Sequence, residues 1–347
     1  MKIVKPKSLL LTLEFPPDIG GIANYYHQIV KSDCSIQVLH FKINKRRLSW
    51  LKFLLPTRRE IKKHKINCLQ IGQILPIGYL GLIFKLTRHK RYLVYVHGLD
   101  ILSSKLSKWK KFWIKVILRQ ARSIITNSNY VKDRALKKYK IDNKKLKTVY
   151  PKIDLAAIGS VAEKLAPIER PSGVKIILSV GRLVERKGFD KVIEALNKLK
   201  IMNYELGIMN WEYWIVGDGP DRAILTSLVK KYDLTDRVKF LGAVPSSQIY
   251  QYFKVSDVFI MPCREINGDI EGFGIVFLEA AAFKKPVIAG RSGGAPEAVV
   301  DGVTGLLVDP MSFEEISQAL IKLLTDEELA LKLGQQGYER VRREFAV

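Results

Sequence analysis

Cysteine is scarce in this 347-residue chain: Cys34, Cys68 and Cys263 are odd in number and widely spaced. That pattern excludes a disulfide framework, offers no pair at metal-ligand spacing and points to a reducing compartment. Long apolar runs are also lacking. No stretch reaches the ~18 residues of a membrane span. The apolar part of the opening "KIVKPKSLLLTLEF" is too short for a signal peptide and reads as a strand. A soluble or peripheral protein is expected. No G-x-x-x-x-G-K-[ST] loop and no recognised nucleic-acid motif occurs. Acid is rare in one half only. Residues 1–170 hold 36 lysines and arginines against 10 acidic residues, whereas 171–347 hold 22 against 24, for a net charge of +24. A split of this kind predicts two domains with different surfaces, the first of which meets something anionic.

What is present is alternation. "SLLLTLEF", "SIQVLHF", "NCLQIG", "RYLVYVHG", "RSIITNS" and "KLKTVY" read as strands, with helical stretches between them such as "IGYLGLIFKLTRHK" and "NYVKDRALKKY", the latter capped by Asn129. Residues 155–173, with Gly159, Pro167, Pro171 and Gly173, have no clean period and read as a linker. The pattern then restarts with the continuous apolar strand "VKIILSVG", followed by "EYWIVG", "RVKFLG", "DVFIMP", "PVIAG" and "TGLLV", with helices from Phe189, Pro220 and Ser246 and over "FGIVFLEAAAF", and two more at the end. The fold class is α/β: two doubly wound, Rossmann-like domains in tandem, over 1–160 and 161–347, facing a central cleft. Ligands in such sheets sit beyond the strand carboxyl ends.

Three turns at such ends carry candidate chemistry. In "EFPPDIGGIANY", Gly20 and Gly21 stand where a strand hands over to a helix, either as corner residues or to let a large anion approach the backbone. In "SVGRLVERKGFD", Arg182 and Lys187 flank a loop opening into a helix, which suits a diphosphate, although solvated surface charges would read the same way. In "EGFGIVFLEA", Gly272 and Gly274 precede a helix, with Glu271 at its entrance and Glu279 on its second turn. Helix-dipole complementarity accounts for Glu271 but not for Glu279, a carboxylate in an otherwise apolar helix. "VGDGPD" and "AGRSGGAPEAV" are further glycine turns.

Taken in order, "GRLVERKGFD", "VGDGP", "EGFGIVFLEA", "SGGAPEAV" and "DGVTGLLVDP" resemble the C-terminal domain of glycosyltransferase family 4, retaining enzymes of GT-B fold, and "FPPDIGGIANY" resembles that family's donor-phosphate loop. "MPCREINGDIEGFGIVFLEAAA" with "GRSGGAPEAV" is most similar to the phosphatidylinositol mannosyltransferase branch, which uses GDP-mannose. The resemblance spans roughly residues 9–345 and is loose across 40–150. It implies that Gly20 and Gly21 admit the donor diphosphate and that Arg182 and Lys187 neutralise it as it leaves. It also implies that Glu271 holds the transferred sugar together with the backbone of Phe273, Gly274 and Ile275, and that Glu279 takes the ribose hydroxyls. Val244 then lies where the base-binding loop begins, and His97, in "VHGLD", matches the active-site histidine. The implied chemistry is a metal-independent, front-face retaining transfer of a hexose, in which the departing phosphate helps deprotonate the acceptor hydroxyl. "DIE" at 269–271 mimics an acidic metal motif, but the family carries no catalytic metal and no cofactor is expected.

The basic half suggests the acceptor. "LSSKLSKWKKFWIKVILRQ" places Leu106, Trp109, Phe112, Trp113, Val116 and Ile117 on one broad helical face, ringed by Lys105, Lys108, Lys110, Lys111, Lys115 and Arg119. "INKRRLSWLKFLLPTRREIKKHK" adds a second basic, tryptophan-bearing stretch. Core packing explains the apolar face but not the excess of charge. An anionic membrane surface explains both and favours a lipid-linked acceptor at the cytoplasmic face. The partners expected are a nucleotide-sugar donor and such an acceptor, and no nucleic acid. A UDP-sugar donor, a basic nucleic-acid binder and a GT-B sugar-nucleotide epimerase are the alternatives.

Overall fold

The computed structural model describes residues 7–18, 20–42, 48–104, 106–206 and 210–347. Expectations placed on 1–6, on 43–47 of the basic stretch and on Lys105 lie outside the described residues. The chain divides into two compact units. One is Met1–Pro151 with Asn267–Gly272, and the other is Lys152–Ile266 with Phe273–Val347.

The first unit runs β1 (Ser8–Thr12), α1 (Gly21–Ser32), β2 (Ile36–His40), α2 (Leu54–Lys63), β3 (Cys68–Ile71), α3 (Gly78–Arg88), β4 (Arg91–Val96), α4 (Leu99–Leu102), α5 (Lys108–Gln120), β5 (Ser123–Thr126), α6 (Asn129–Tyr139) and β6 (Leu146–Thr148). Its sheet is parallel, in the order β2-β1-β3-β4-β5-β6. Every residue of β1 is buried, as a strand covered on both faces requires. The strand order reverses between β1 and β3, and the loops there lead to the carboxyl edge where ligands bind such sheets. The segment Asn267–Gly272 joins this unit because Ile270 is buried in its core and the Asn267 carbonyl accepts from the Ser104 amide.

The second unit runs α7 (Leu155–Lys164), β7 (Lys175–Val180), α8 (Phe189–Leu206), β8 (Trp211–Val216), α9 (Arg222–Lys231), β9 (Val238–Gly242), α10 (Ser246–Val255), β10 (Val258–Met261), α11 (Ile275–Ala282), β11 (Val287–Gly290), α12 (Ala295–Ala298), β12 (Leu306–Val308), α13 (Phe313–Thr325) and α14 (Glu327–Arg340). Its parallel sheet is ordered β12-β11-β10-β7-β8-β9, with the reversal between β7 and β10.

Two local expectations are corrected. The stretch read as a linker contains α7. Asp154 caps it by accepting the Ala157 amide at 2.9 Å, Ile158 and Ala162 are buried one turn apart, and Gln251 donates to the Ala162 carbonyl at 2.6 Å. Its small residues, Gly159 among them, hide the period. Helix α6 is capped by Ser128, whose hydroxyl accepts the Val131 amide at 3.1 Å. Asn129 is already helical, and its amide instead bridges Tyr150 and Thr148 at 2.7 and 2.8 Å.

The broad apolar face of α5 divides in two. Ile117 is core, and Leu106, Trp113 and Val116 pack against the core, whereas Trp109 and Phe112 are 59% and 56% exposed. Trp50, Tyr79, Trp113, Trp109 and Phe112 form a chain of ring contacts at 5.1–5.5 Å that links the two basic stretches, and Leu48, Leu51 and Leu55 are exposed in the second. Among the described residues, no helix is long and apolar enough to cross a membrane.

Ser128→Ala leaves the Val131 amide without an acceptor in a fully buried setting and should cost about 1–2 kcal/mol. Asn129→Ala, at an exposed position, should cost less. Urea unfolding of both variants checks this, and the reverse order would sink the capping assignment.

Candidate functional site

In the second unit, the loops after β7, β8 and β10 are held together by backbone contact. A Cβ at Gly217 would lie 2.0 Å from the Gly181 carbonyl oxygen, and one at Gly219 would lie 2.3 Å from that of Leu183. The glycines of "VGDGP" therefore seat the Arg182 loop. Gly188 is left-handed, at φ 76°, and its Cβ would meet the Pro262 carbonyl oxygen at 2.3 Å. This turn ends the single helical turn Glu185–Lys187 and starts α8. It leaves Lys187 buried and Arg182 exposed.

Glu279, on α11, lies within electrostatic reach of Lys187. Burial pushes its carboxyl up to about 7, and the Lys187 ammonium opposes that rise. The carboxyl also helps burial raise the Tyr250 phenol. Gly274 is left-handed at φ 90°, and α11 starts with no side-chain cap and no acid in its first turn. Its first N–H groups are therefore open to an anion. Phe273, just ahead, is buried against Phe345, with ring centroids 5.7 Å apart. Ile275 opens the helix half-buried, and Val244 is half-buried in the loop after β9.

Sequence reasoning missed Arg264. It is 5% exposed, donates to Asp190 at 2.8 Å and lies 3.8 Å from Glu185, while its backbone amide donates to the Arg186 carbonyl. It thus ties the loop after β10 to both ends of the Lys187 turn. Its position within "MPCREI", directly after a strand, was the available signal.

In the first unit, His97 follows β4 half-buried between two tyrosines of α1. The rings of Tyr25 and Tyr26 meet it edge-on, with centroids 5.3 and 5.5 Å away. Its Nε2 lies 2.7 Å from the Tyr26 hydroxyl, which donates to the Gly72 carbonyl. Burial lowers its pKa to about 4, so the ring is neutral near pH 7. Asp100 pins the turn by accepting the His97 and Gly98 amides at 3.3 and 3.0 Å, and burial nonetheless raises its carboxyl to about 7. Gly272 must be a glycine here. Its Cβ would meet the His97 carbonyl oxygen at 2.3 Å and the Asn127 amide nitrogen at 2.7 Å. Glu271, the preceding residue, is half-buried and belongs with His97 in this unit.

Gly20 and Gly21 lead into α1, which has no side-chain cap and no acid in its first turn. The Glu14 carboxylate lies beside Gly20, 3.9 Å from where a Cβ would be, and burial and the charge of Asp18 raise its pKa. An uncapped helix start and a carboxyl thus act on the same loop in opposite electrical senses.

Comparison with known proteins gives the family and the fold. Residues 160–340 match the family model "Glycosyl transferases group 1", and residues 20–157 match "Glycosyltransferase Family 4". The chain is 30% identical to a Mycobacterium tuberculosis GDP-mannose-dependent alpha-(1-6)-phosphatidylinositol monomannoside mannosyltransferase, over 96% of this chain and 93% of the relative. The fold matches sucrose-phosphate synthase from Thermosynechococcus elongatus with TM-score 0.81 at 21% identity, covering 98% of this chain and 95% of that one. Anabaena HepE in complex with UDP matches with TM-score 0.76 at 21% identity, over 98% and 96%.

The raised Glu279 carboxyl fixes a pH dependence. Between its ordinary 4.5 and about 7, the folded chain keeps a proton that the unfolded chain releases, so stability falls as pH rises through that window. Glu279→Gln should remove this slope. The variant should gain on the order of 1–3 kcal/mol over the parent above pH 7, and the gain should close towards pH 4.5. Denaturant titrations at pH 5 and pH 8 measure it, and an equal difference at both would contradict the burial of this carboxyl.

Proposed function

Since the chain belongs to the glycosyl transferases of group 1 and family 4, with their two-domain GT-B fold, we propose that it moves mannose from GDP-mannose to a lipid-linked acceptor at an anionic membrane surface. That it is a glycosyltransferase follows from the family. The donor, acceptor and location are our reading. The observation that carries it is that buried Lys187 lies within electrostatic reach of the Glu279 carboxyl, in the unit whose helix α11 starts with no side-chain cap and no acid in its first turn.

The chemistry follows from charge. Cleaving the sugar–phosphate bond builds negative charge on the leaving diphosphate. Buried Lys187 and the start of α11, already in place, and the exposed Arg182 stabilise that charge without a divalent metal. Glu279 accepts from the ribose hydroxyls, and its approach to Lys187 keeps a carboxylate accessible despite burial. The loop bearing Val244 meets the base. Glu271 and the backbone of Gly272, Phe273, Gly274 and Ile275 hold the sugar, His97 contacts it, and the glycines at 20 and 21 admit the phosphates. The departing phosphate takes the acceptor proton, so the sugar leaves and arrives on one face and configuration is retained.

The acceptor reading rests on the basic half. Exposed Trp109 and Phe112 stand among Lys108, Lys110, Lys111 and Lys115, and the ring chain joins them to the leucine-bearing stretch at 48–55. Aromatic side chains flanked by lysines suit the interface of an anionic bilayer. The similarity to a phosphatidylinositol monomannoside mannosyltransferase agrees with an acceptor of that kind at the cytoplasmic face.

Calorimetric titration with GDP, UDP and ADP and their hexose conjugates, all in EDTA, should show GDP and GDP-mannose binding. A preference for UDP would replace the sugar and keep the enzyme class, and binding only with added divalent metal would overturn the metal-free reading. Lys187→Ala should weaken donor binding roughly 10- to 100-fold, and Glu271→Ala should abolish transfer with the fold intact. Co-sedimentation should show salt-sensitive binding to phosphatidylglycerol vesicles that Trp109→Ala with Phe112→Ala weakens. Binding to RNA instead would return the basic half to a nucleic-acid role.

A further inference from the structure

The Tyr26 hydroxyl has one hydrogen, and its two contacts settle where that hydrogen goes. The Gly72 carbonyl oxygen can only accept, so the hydroxyl donates to it. Towards His97, 2.7 Å away, Tyr26 therefore presents a lone pair, and the hydrogen of that contact must come from Nε2. The neutral ring then carries its proton on Nε2 and a free lone pair on Nδ1. Nδ1 has no partner in the chain among the described residues.

The arrangement is rigid at each point. Tyr26 is fully buried, with the rings of Tyr25 and Tyr95 edge-on to it at 5.6 and 5.3 Å. Tyr25 is tied by its own hydroxyl to the Val149 carbonyl, and Tyr95 by its hydroxyl to Gln70. The Gly72 amide donates to the Leu11 carbonyl at 2.8 Å, and a Cβ at Gly72 would lie 2.9 Å from the Thr12 side chain, so this carbonyl cannot swing away. The other tautomer would set lone pairs of Nε2 and the Tyr26 oxygen against each other, or would take the hydroxyl hydrogen from Gly72 and leave a buried carbonyl unpaired. Either alternative disfavours it by roughly tenfold or more.

We propose that Tyr26 is a positioning residue: it holds neutral His97 as the Nε2–H tautomer, which makes Nδ1 the atom that accepts a hydrogen bond from a hydroxyl of the transferred sugar. The contact to sugar rests on the glycosyltransferase reading above, whereas the tautomer does not. A nitrogen that only accepts takes the hydrogen of a hydroxyl and is repelled by the acceptor-only oxygens of a phosphate. It also keeps positive charge away from the anomeric carbon, where positive charge develops during transfer.

The test is a long-range ¹H–¹⁵N correlation spectrum of the full chain labelled on histidine. The chain has five histidines, and the His97 signals are identified by their loss in His97→Gln. A protonated-type shift at Nε2 with a pyridine-type shift at Nδ1 is expected. The hexose conjugate that binds in calorimetry should move the Nδ1 resonance, and its bare nucleotide should not. Tyr26→Phe keeps the ring and removes the hydroxyl, so the pattern should average between tautomers, and kcat should fall roughly tenfold with little change in donor KM. An averaged or Nδ1–H pattern at His97 in the parent protein overturns the proposal. An Nδ1 resonance that moves with nucleotide alone overturns the sugar contact. If no sugar is transferred but the Nε2–H pattern holds, the functional reading fails and the tautomer assignment stands.

Discussion

Close backbone approach at the carboxyl ends of the strands is the constraint on which the second unit depends. Where the loops after β7, β8 and β10 cross, carbonyl oxygens occupy the space a side chain would need. Only glycine allows Gly217 to sit over Gly181, Gly219 over Leu183 and Gly188 under Pro262. Those contacts are repeated by hydrogen bonds, the Leu183 amide to the Asp218 carbonyl and the Asp221 amide to the Leu183 carbonyl. The three loops are thereby one rigid body at the strand-order reversal. A charged side chain held on a rigid element is more effective against a developing charge than one that must be ordered during the reaction.

That rigidity makes burial of charge tolerable. Lys187 and Glu279 are each unfavourable to desolvate alone, and each lessens the other's cost by proximity. Arg264 repeats the arrangement one layer away, buried with Asp190 and within reach of Glu185. The first unit solves a similar problem without charge. His97 is kept neutral among tyrosines, and the one carboxyl that organises its turn, Asp100, is satisfied by backbone amides and pushed towards the neutral form. The second unit thus gathers buried charge around its loops, and the first a neutral hydrogen-bonding cluster around His97. The basic character of that first unit is carried elsewhere, by helices such as α5.

The short segment Asn267–Gly272 belongs to the first unit although its neighbours in sequence belong to the second. It leaves β10 in the second unit, packs Ile270 and Gly272 into the first, and returns at Phe273 to start α11. Glu271 therefore sits in the unit of His97, although eight residues later Glu279 sits in the unit of Lys187.

The alternation of apolar strands with amphipathic helices determined two parallel sheets, because side-chain periodicity is local and parallel pairing needs a crossover between strands. Charge counting separated a basic half from a neutral one for the same reason: it needs no contacts. The glycine turns marked the loops around Arg182, Lys187 and Gly274. Helix α7 escaped because small residues weaken its period, and Ser128 was passed over for Asn129 because capping depends on which residue is still extended. Only the tertiary structure decided that Tyr26 meets His97 across 71 positions and Arg264 meets Asp190 across 74. The same holds for the unit in which Glu271 resides and for which carboxyls are desolvated. Hydrogen-bond partners and burial are fixed by packing between distant segments, and no spacing in the chain encodes them.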